Sequence, residues 1–413
     1  MRNISYLKDR PICVLGAGAI GKAMAADCKL AGNKEVRICD IQPFAAKSLY
    51  RVKENGITIY GSQVSLYGFK RSGTAFVDMV TDSVAEAVKG AGIIIVAIPS
   101  VGHEVFFSQL IPCLEDGQII HIIPDSYGSF TLKKMMKEAR CEKKVIMGGW
   151  IGPTFDARAD VVGGVGLPRV KLGYRAISLK GSAMPASDND VFMESIKYIG
   201  AFDSVVKGDG PAAGENILDV CLSLANPALH TVGLILGVGV LENFETILKK
   251  NLEDFSIYSH CFCPSISRVQ YEFYLETVRI AEAIGVAISH HDKQQFFSRE
   301  SIVGEKYMGP EYSIGFGEIN HVAWGTGPTS VKSRYLTEDI PVGCHILHEL
   351  GQRFGVKTPV IDSMITLAGI ILETDYYEKG VTLKDLGINE MSAHELLDYV
   401  NTGRQNTSCK SSM

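Results

Sequence analysis

The chain reads as a doubly wound α/β (Rossmann-type) N-terminal domain followed by an all-α C-terminal domain. Three observations predict this. A glycine-rich turn joins an apolar run to an alanine-rich helical pattern. Further short apolar runs alternate with helical patterns. Near Gly208 the strand periodicity stops and long amphipathic stretches take over. The boundary is placed there, with 1–208 as the dinucleotide-binding part and 209–413 as the substrate and catalytic part. With 413 residues, 46% of them hydrophobic and 21% charged, the composition suits a globular chain with two cored domains.

Residues 11–15 (Pro-Ile-Cys-Val-Leu) form an apolar run expected to be a buried parallel strand. It leads directly into Gly16-Ala17-Gly18-Ala19-Ile20-Gly21, and residues 22–31 continue as a helix. This is G-x-G-x-x-G with a strand before it and a helix after it. Gly16 permits the tight turn, Gly18 lets backbone approach a pyrophosphate, and Gly21 lets helix and strand pack closely. A second strand over 35–39 ends in Asp40, about twenty residues beyond the last glycine. A carboxylate there accepts from both ribose hydroxyls and repels a 2′-phosphate, which favours NAD over NADP.

The pattern continues with strands and a hairpin in 50–76, a helix over 83–89 and a buried strand over 91–99. That strand ends in Pro99-Ser100, at the carboxyl edge where open α/β sheets bind ligands. His103, at the start of the next helix, lies near the expected nicotinamide end and is a substrate-side candidate. Strands over 118–124 and 145–149 flank a helix over 128–139, and 176–180 and 205–206 read as late edge strands. Beyond them, 215–225, 228–240, 267–287, 342–354, 359–372 and 393–403 read as helices. The last ten residues, 404–413, are polar and expected to be disordered.

Composition also excludes classes of function. A net charge of −5 argues against broad binding to nucleic acid or anionic membrane. The longest apolar run, 232–241, is too short to span a bilayer and contains three glycines. Residues 1–10 contain no secretory signal, which points to the cytoplasm. Ten cysteines at scattered positions form no disulfide framework, and Cys261 and Cys263 have no second pair at zinc spacing. His345 and His348 can share a helix face without an evident further ligand, so no metal is expected.

The candidate chemistry lies in the second part. His230 follows Asn226-Pro227 in a region almost free of charge, where a histidine is either a satisfied core residue or an acid/base group. Residues 333–341 (Ser-Arg-Tyr-Leu-Thr-Glu-Asp-Ile-Pro) pack a cation, a phenol, a hydroxyl and two carboxylates together. This is a helix start with a solvated charge cluster or half of a site. Asp339 can orient His230 as a general acid/base, with Glu338 the competing carboxylate. Arg334 offers a planar fork for a substrate carboxylate, and Thr337 a hydroxyl beside it.

These residues resemble the opine dehydrogenases. The likeness rests on residues 334–341 with Gly327-Pro328 before them, on Asn226-Pro-x-x-His230, and on Pro99-x-x-x-His103-Glu104. It extends to Gly355-Val-Lys-Thr-Pro359 and Leu386-Gly387. The stretch 149–175 departs from the family's pattern, as does Thr231, where many members carry proline. The resemblance implies NAD-dependent reductive condensation of an amino acid with a 2-oxo acid such as pyruvate. His230 would then be the acid/base, Asp339 its orienting partner and Arg334 a carboxylate ligand. It leaves the amine donor and a possible homodimer open. Two other readings remain at this stage. One is a 2- or 3-hydroxy-acid or ketopantoate-type dehydrogenase centred on a lysine such as Lys249, Lys250 or Lys306. The other is a protein that binds NAD without turnover.

Overall fold

The computed structural model describes residues 3–63, 65, 67–290 and 326–404. The expected disordered tail lies almost wholly outside these residues, as does Lys306. Twelve strands occur among the described residues: β1 (Ile12–Leu15), β2 (Val36–Cys39), β3 (Ile57–Tyr60), β4 (Gly73–Ala75), β5 (Met79–Thr81), β6 (Ile93–Val96), β7 (Ile119–Ile122), β8 (Ile146–Trp150), β9 (Phe155–Val162), β10 (Val165–Arg175), β11 (Ser178–Ala183) and β12 (Gly210–Ala213).

Eight of them form one sheet in the order β12-β11-β8-β7-β6-β1-β2-β5. All its pairings are parallel except that between β8 and β11. The central strands β1, β6 and β7 are buried at every position, so their sequences run apolar without alternation, broken only by the buried His121 of β7. Two apolar cores cover the two faces. From β1 the order runs to β2 and β5 on one side and to β6, β7 and β8 on the other. The sheet therefore opens a crevice beyond the carboxyl ends of β1 and β6.

Two expectations need correction. Residues 205–206 are not a strand but the end of a short helix, Asp203–Val206. Two β-branched residues are too few to define a period. The true last strand is β12, Gly-Pro-Ala-Ala, whose proline is tolerated because the strand lies at the sheet edge. The sheet thus extends to Ala213, past the boundary placed at 208, and the first helix of the second part is Ile217–Leu222.

The stretch 149–175 supplies a second sheet of four strands, β4-β3-β10-β9. Its long hairpin turns at Gly163-Gly164, both with positive φ, as a tight two-residue turn between twisted strands requires. β9 lies along helix α1 (Ala19–Leu30). The inserted sheet is locked there by a buried ion network. Arg175 grips Asp27 of α1 with two bonds of 2.6 and 2.9 Å, and Arg71 joins Asp27 to Asp203.

The rest is helical. Pro264–Ile284, His345–Phe354, Pro359–Leu372 and Ala393–Thr402 pack around one core with the Ile217–Leu222 and Val232–Leu236 segments. Asn216 caps Ile217–Leu222 through its side chain, and a reciprocal Ser392–Glu395 capping box opens the last helix. Residues Ile217–Leu236 are long and apolar enough to cross a membrane, yet 78% of that stretch is buried inside the fold as core.

Helices expected over 228–240 and 342–354 are interrupted at their starts. Pro227–Thr231 and Asp339–Cys344 are π-helical turns, and they pack against each other. Gly343 makes the contact possible, because a Cβ there would stand 2.5 Å from Cγ of Pro227. Wide turns of this kind are often found where a side chain is being aimed at a site.

Candidate active site

A cleft of about 520 Å³ runs from the glycine turn, past the ends of β6 and β7, to the two π-helical turns. Gly18, Ala19 and Ile20 line it at one end, Pro99 along one wall, and His230 with Arg334 at the other end. Gly16 has φ +95°, and a Cβ there would collide with the Ala97 carbonyl and the Ile98 side chain. A Cβ on Gly21 would meet the Gly16 carbonyl, so helix and turn touch only through glycine. Nothing stands within 4 Å of where a Cβ on Gly18 would project, at the N-terminus of α1. That open, glycine-walled helix start fits a pyrophosphate. Ala17 is buried and donates its N–H to Asp40 Oδ2 at 3.1 Å, while Ile41 N–H reaches Oδ1 at 2.9 Å. The Asp40 carboxylate is thereby fixed at the end of β2, outside the cleft lining.

The two π-helical turns bring His230 and Asp339 together. His230 Nδ1 donates to Asp339 Oδ2 at 2.7 Å. The other ring nitrogen, Nε2, lies 2.9 Å from the hydroxyl of Tyr258. With Nδ1–H committed to the carboxylate, the neutral ring accepts at Nε2 from the phenol. Tyr335 stacks on the imidazole at 3.8 Å and 6° between planes. Burial pushes the Asp339 carboxyl up from its ordinary range, and the His230 hydrogen bond opposes this. Burial, reinforced by Tyr335, holds the Tyr258 phenol well above its usual value, so it stays protonated.

Glu338 faces away from His230. Its Oε1 accepts from both the N–H and the hydroxyl of Ser100, each at 2.9 Å, and its Oε2 lies 2.9 Å from Nε of Arg334. Glu338 therefore ties the loop after β6, next to Pro99, to the arginine of the helical part. Arg334 has its Nε turned to Glu338 and still lines the cleft.

Two expected site residues lie elsewhere. His103 is buried, stacked on Phe107 at 5.2 Å and packed against Gly128, and does not line the cleft. Burial lowers its pKa to about 4, so it is a neutral packing residue. Thr337 is exposed and bonds back to the Ser333 carbonyl at 3.1 Å, because one turn of helix points it opposite to the cleft.

Sequence reasoning passed over Tyr258 and Arg158 and noted Tyr335 only as the phenol of the 333–341 cluster; all three line the cleft. Tyr258 sits in a short helix, Ile257–His260, with no motif around it. Arg158 had a readable signal. Residues 155–160 alternate apolar and polar, and a Gly-Gly turn follows, which together mark a hairpin with one face outward. No lysine is among the described residues lining the cleft, and Lys249 and Lys250 are exposed on the surface. The described residues also contain no cluster of three or more metal-ligating side chains.

Residues 213–372 match the family described as NAD/NADP octopine/nopaline dehydrogenase, alpha-helical domain. An opine dehydrogenase of Arthrobacter sp. (strain 1C) is 24% identical over 391 residues, which is 94% of this chain and 98% of that protein. Vitopine synthase of Allorhizobium ampelinum is 23% identical over 392 residues, 94% of this chain and 99% of its own. Octopine dehydrogenase solved with NADH and pyruvate shares the fold, with a TM-score of 0.69 at 17% identity over 96% of this chain and 98% of that one. The glycine turn, the match of residues 213–372 to that family's α-helical domain and the full-length likeness to these enzymes mark the chain as a nicotinamide-dependent oxidoreductase similar to the opine dehydrogenases.

Proposed function

We propose that this chain joins an amino acid to a 2-oxo acid such as pyruvate by reductive condensation, and catalyses the reverse oxidation. The observation that carries the reading is the Asp339-oriented His230, opening on the same cleft that begins at the glycine turn. The amine nitrogen attacks the carbonyl carbon, and the resulting carbinolamine loses water to give an imine. His230 supplies and removes the protons of these steps at Nε2, with Asp339 stabilising the imidazolium. Tyr258, hydrogen-bonded to that nitrogen, passes or holds the proton at the cleft. The bound reduced nicotinamide supplies the hydride that the imine carbon accepts. Arg334 holds the 2-oxo acid's carboxylate near the nicotinamide end, steered there by Glu338 and Ser100.

Asp40, anchored by two backbone N–H groups, supports NAD over NADP, since its fixed charge disfavours a 2′-phosphate. The nine described cysteines are free, which agrees with a reducing compartment such as the cytoplasm.

The test is NADH oxidation by the purified protein, with pyruvate against a panel of amino acids and each omitted in turn. Turnover that needs both substrates, and runs faster with NADH than NADPH, supports the reading. Full turnover with a 2-oxo acid alone overturns it.

A further inference from the structure

Among the described residues lining the cleft, two side chains are cationic, Arg158 and Arg334, and one is a carboxylate, Asp156. They come from different parts of the fold. Arg334 belongs to the helical part and is drawn toward the nicotinamide end through Glu338 and Ser100. Arg158 projects from β9 of the inserted sheet. Its Nη1 pairs with Asp156 Oδ1 at 2.8 Å and reaches the Ala157 carbonyl at 3.2 Å. The remaining edge of the guanidinium faces the cleft, with 46% of the side chain open.

Partial desolvation works against the charge of Arg158. The Asp156 carboxylate is the largest influence that offsets this. Tyr335 and Tyr258, the two rings against His230, line the same cleft as Arg158 and lie close enough to interact with it electrostatically.

We infer that Arg158 is a second anion site, holding the α-carboxylate of the amine donor while Arg334 holds that of the 2-oxo acid. This rests on the reading under Proposed function, whose product carries two carboxylates on either side of one nitrogen. The 2-oxo acid's carboxylate is attached to the carbon that accepts hydride and so lies beside the nicotinamide, on the Arg334 side. The donor's carboxylate is two bonds further out, across the nitrogen, where β9 forms the wall. Asp156 orients the guanidinium and leaves its outer edge to the ligand, an arrangement that suits planar two-point recognition.

The experiment compares L-alanine, L-phenylalanine and L-arginine with their carboxamides as donors, with pyruvate and NADH, in wild type, Arg158→Lys and Arg158→Gln. The amides keep donor shape and remove the carboxylate charge; their lower amine pKa acts equally in wild type and variants, so the change in ratio between enzymes isolates the carboxylate. In wild type the acid should exceed its amide in kcat/KM by about 10- to 100-fold, the range of one charge-assisted hydrogen bond. In Arg158→Gln that ratio should fall to within about threefold, with KM for pyruvate and NADH held and Arg158→Lys intermediate. Thermal melting of each variant shows whether it is folded, and an open arginine should be replaceable without loss of fold.

An unchanged acid-to-amide ratio in a folded Arg158→Gln variant overturns the assignment. So does a rise in KM confined to NADH, which would make Arg158 a phosphate ligand, or one confined to pyruvate, which would give it the other carboxylate. Failure of the underlying reading looks different: wild type would then oxidise NADH with no amine present.

Discussion

Two buried polar clusters in this molecule have similar ingredients and opposite uses. The first, Asp27 with Arg175, Arg71, Asp203 and Gln63, fastens the inserted sheet to α1. The side chains of Asp27 and Arg175 are both 0% exposed, and every oxygen of Asp27 is matched by a guanidinium nitrogen. The second, Asp339, His230, Tyr258 and Tyr335, fastens two π-helical turns together. It is nearly as buried, but one edge lines the cleft. The first cluster orders the fold: its Asp27–Arg175 centre is sealed, and its outer members Arg71 and Asp203 meet solvent away from the cleft. The open one has a titratable ring whose far nitrogen meets a phenol at the cleft. Burial and pairing alone therefore do not distinguish a lock from a site; the open edge does.

The comparison breaks most visibly at His230. His230→Ala should lower turnover of NADH with both substrates by about 10³-fold. Its melting temperature should fall less than that of Asp27→Ala, because the buried Asp339 carboxyl, already pushed up by burial, can take up a proton. Steady-state kinetics beside a thermal melt checks both halves. Asp27→Ala should do the reverse. It strands Arg175 without its carboxylate and should cost about 3–5 kcal/mol in urea unfolding, while the folded fraction keeps its kcat. If Asp27→Ala abolishes chemistry in folded protein, the closed cluster is not merely a lock.

Gly343→Ala should have an intermediate effect. The added methyl forces Pro227 and the turn bearing His230 away from Asp339. A loss of about 1–3 kcal/mol in stability and about tenfold or more in kcat is expected, measured on one preparation. Wild-type kcat would show that the contact between the two turns does not set the dyad's geometry.

The smallest effect concerns His103. Its folded pKa is lowered by burial from 6.5 to about 4. It therefore contributes stability that is full above pH 6.5 and is lost as pH falls toward and through about 4. His103→Leu should flatten that part of the pH–stability curve and leave the pH dependence of kcat unchanged. A shifted pH–rate profile would return His103 to the site.

How much of this was legible from sequence follows from the range of the interactions. Gly16, Gly18, Gly21 and Asp40 act through local backbone geometry, and their spacing carried the dinucleotide reading. The buried strands were legible because they are apolar runs. The Asp339–His230 contact joins residues 109 apart; residue chemistry and family likeness suggested it, and periodicity did not. Tyr258 has no local signature: its contact with His230 is made across 28 residues, in a turn whose start pairs with the Gly327 loop through Ser256. Residues 155–175 did carry strand alternation, but its outward face reads as solvent-facing until α1 is known to lie behind it. Val205 and Val206 show the reverse failure, in which intrinsic preference for strand yields to the turn of helix that tertiary packing requires.

The central claim is that His230 and Asp339 act as one acid/base unit assembled from two π-helical turns. A double-mutant cycle of His230→Ala and Asp339→Asn, read as kcat/KM with both substrates present, tests it most directly. The account predicts that each single substitution removes most of the activity and that the double variant is little worse than His230→Ala. Losses that multiply would mean that the two residues act independently, and would contradict it.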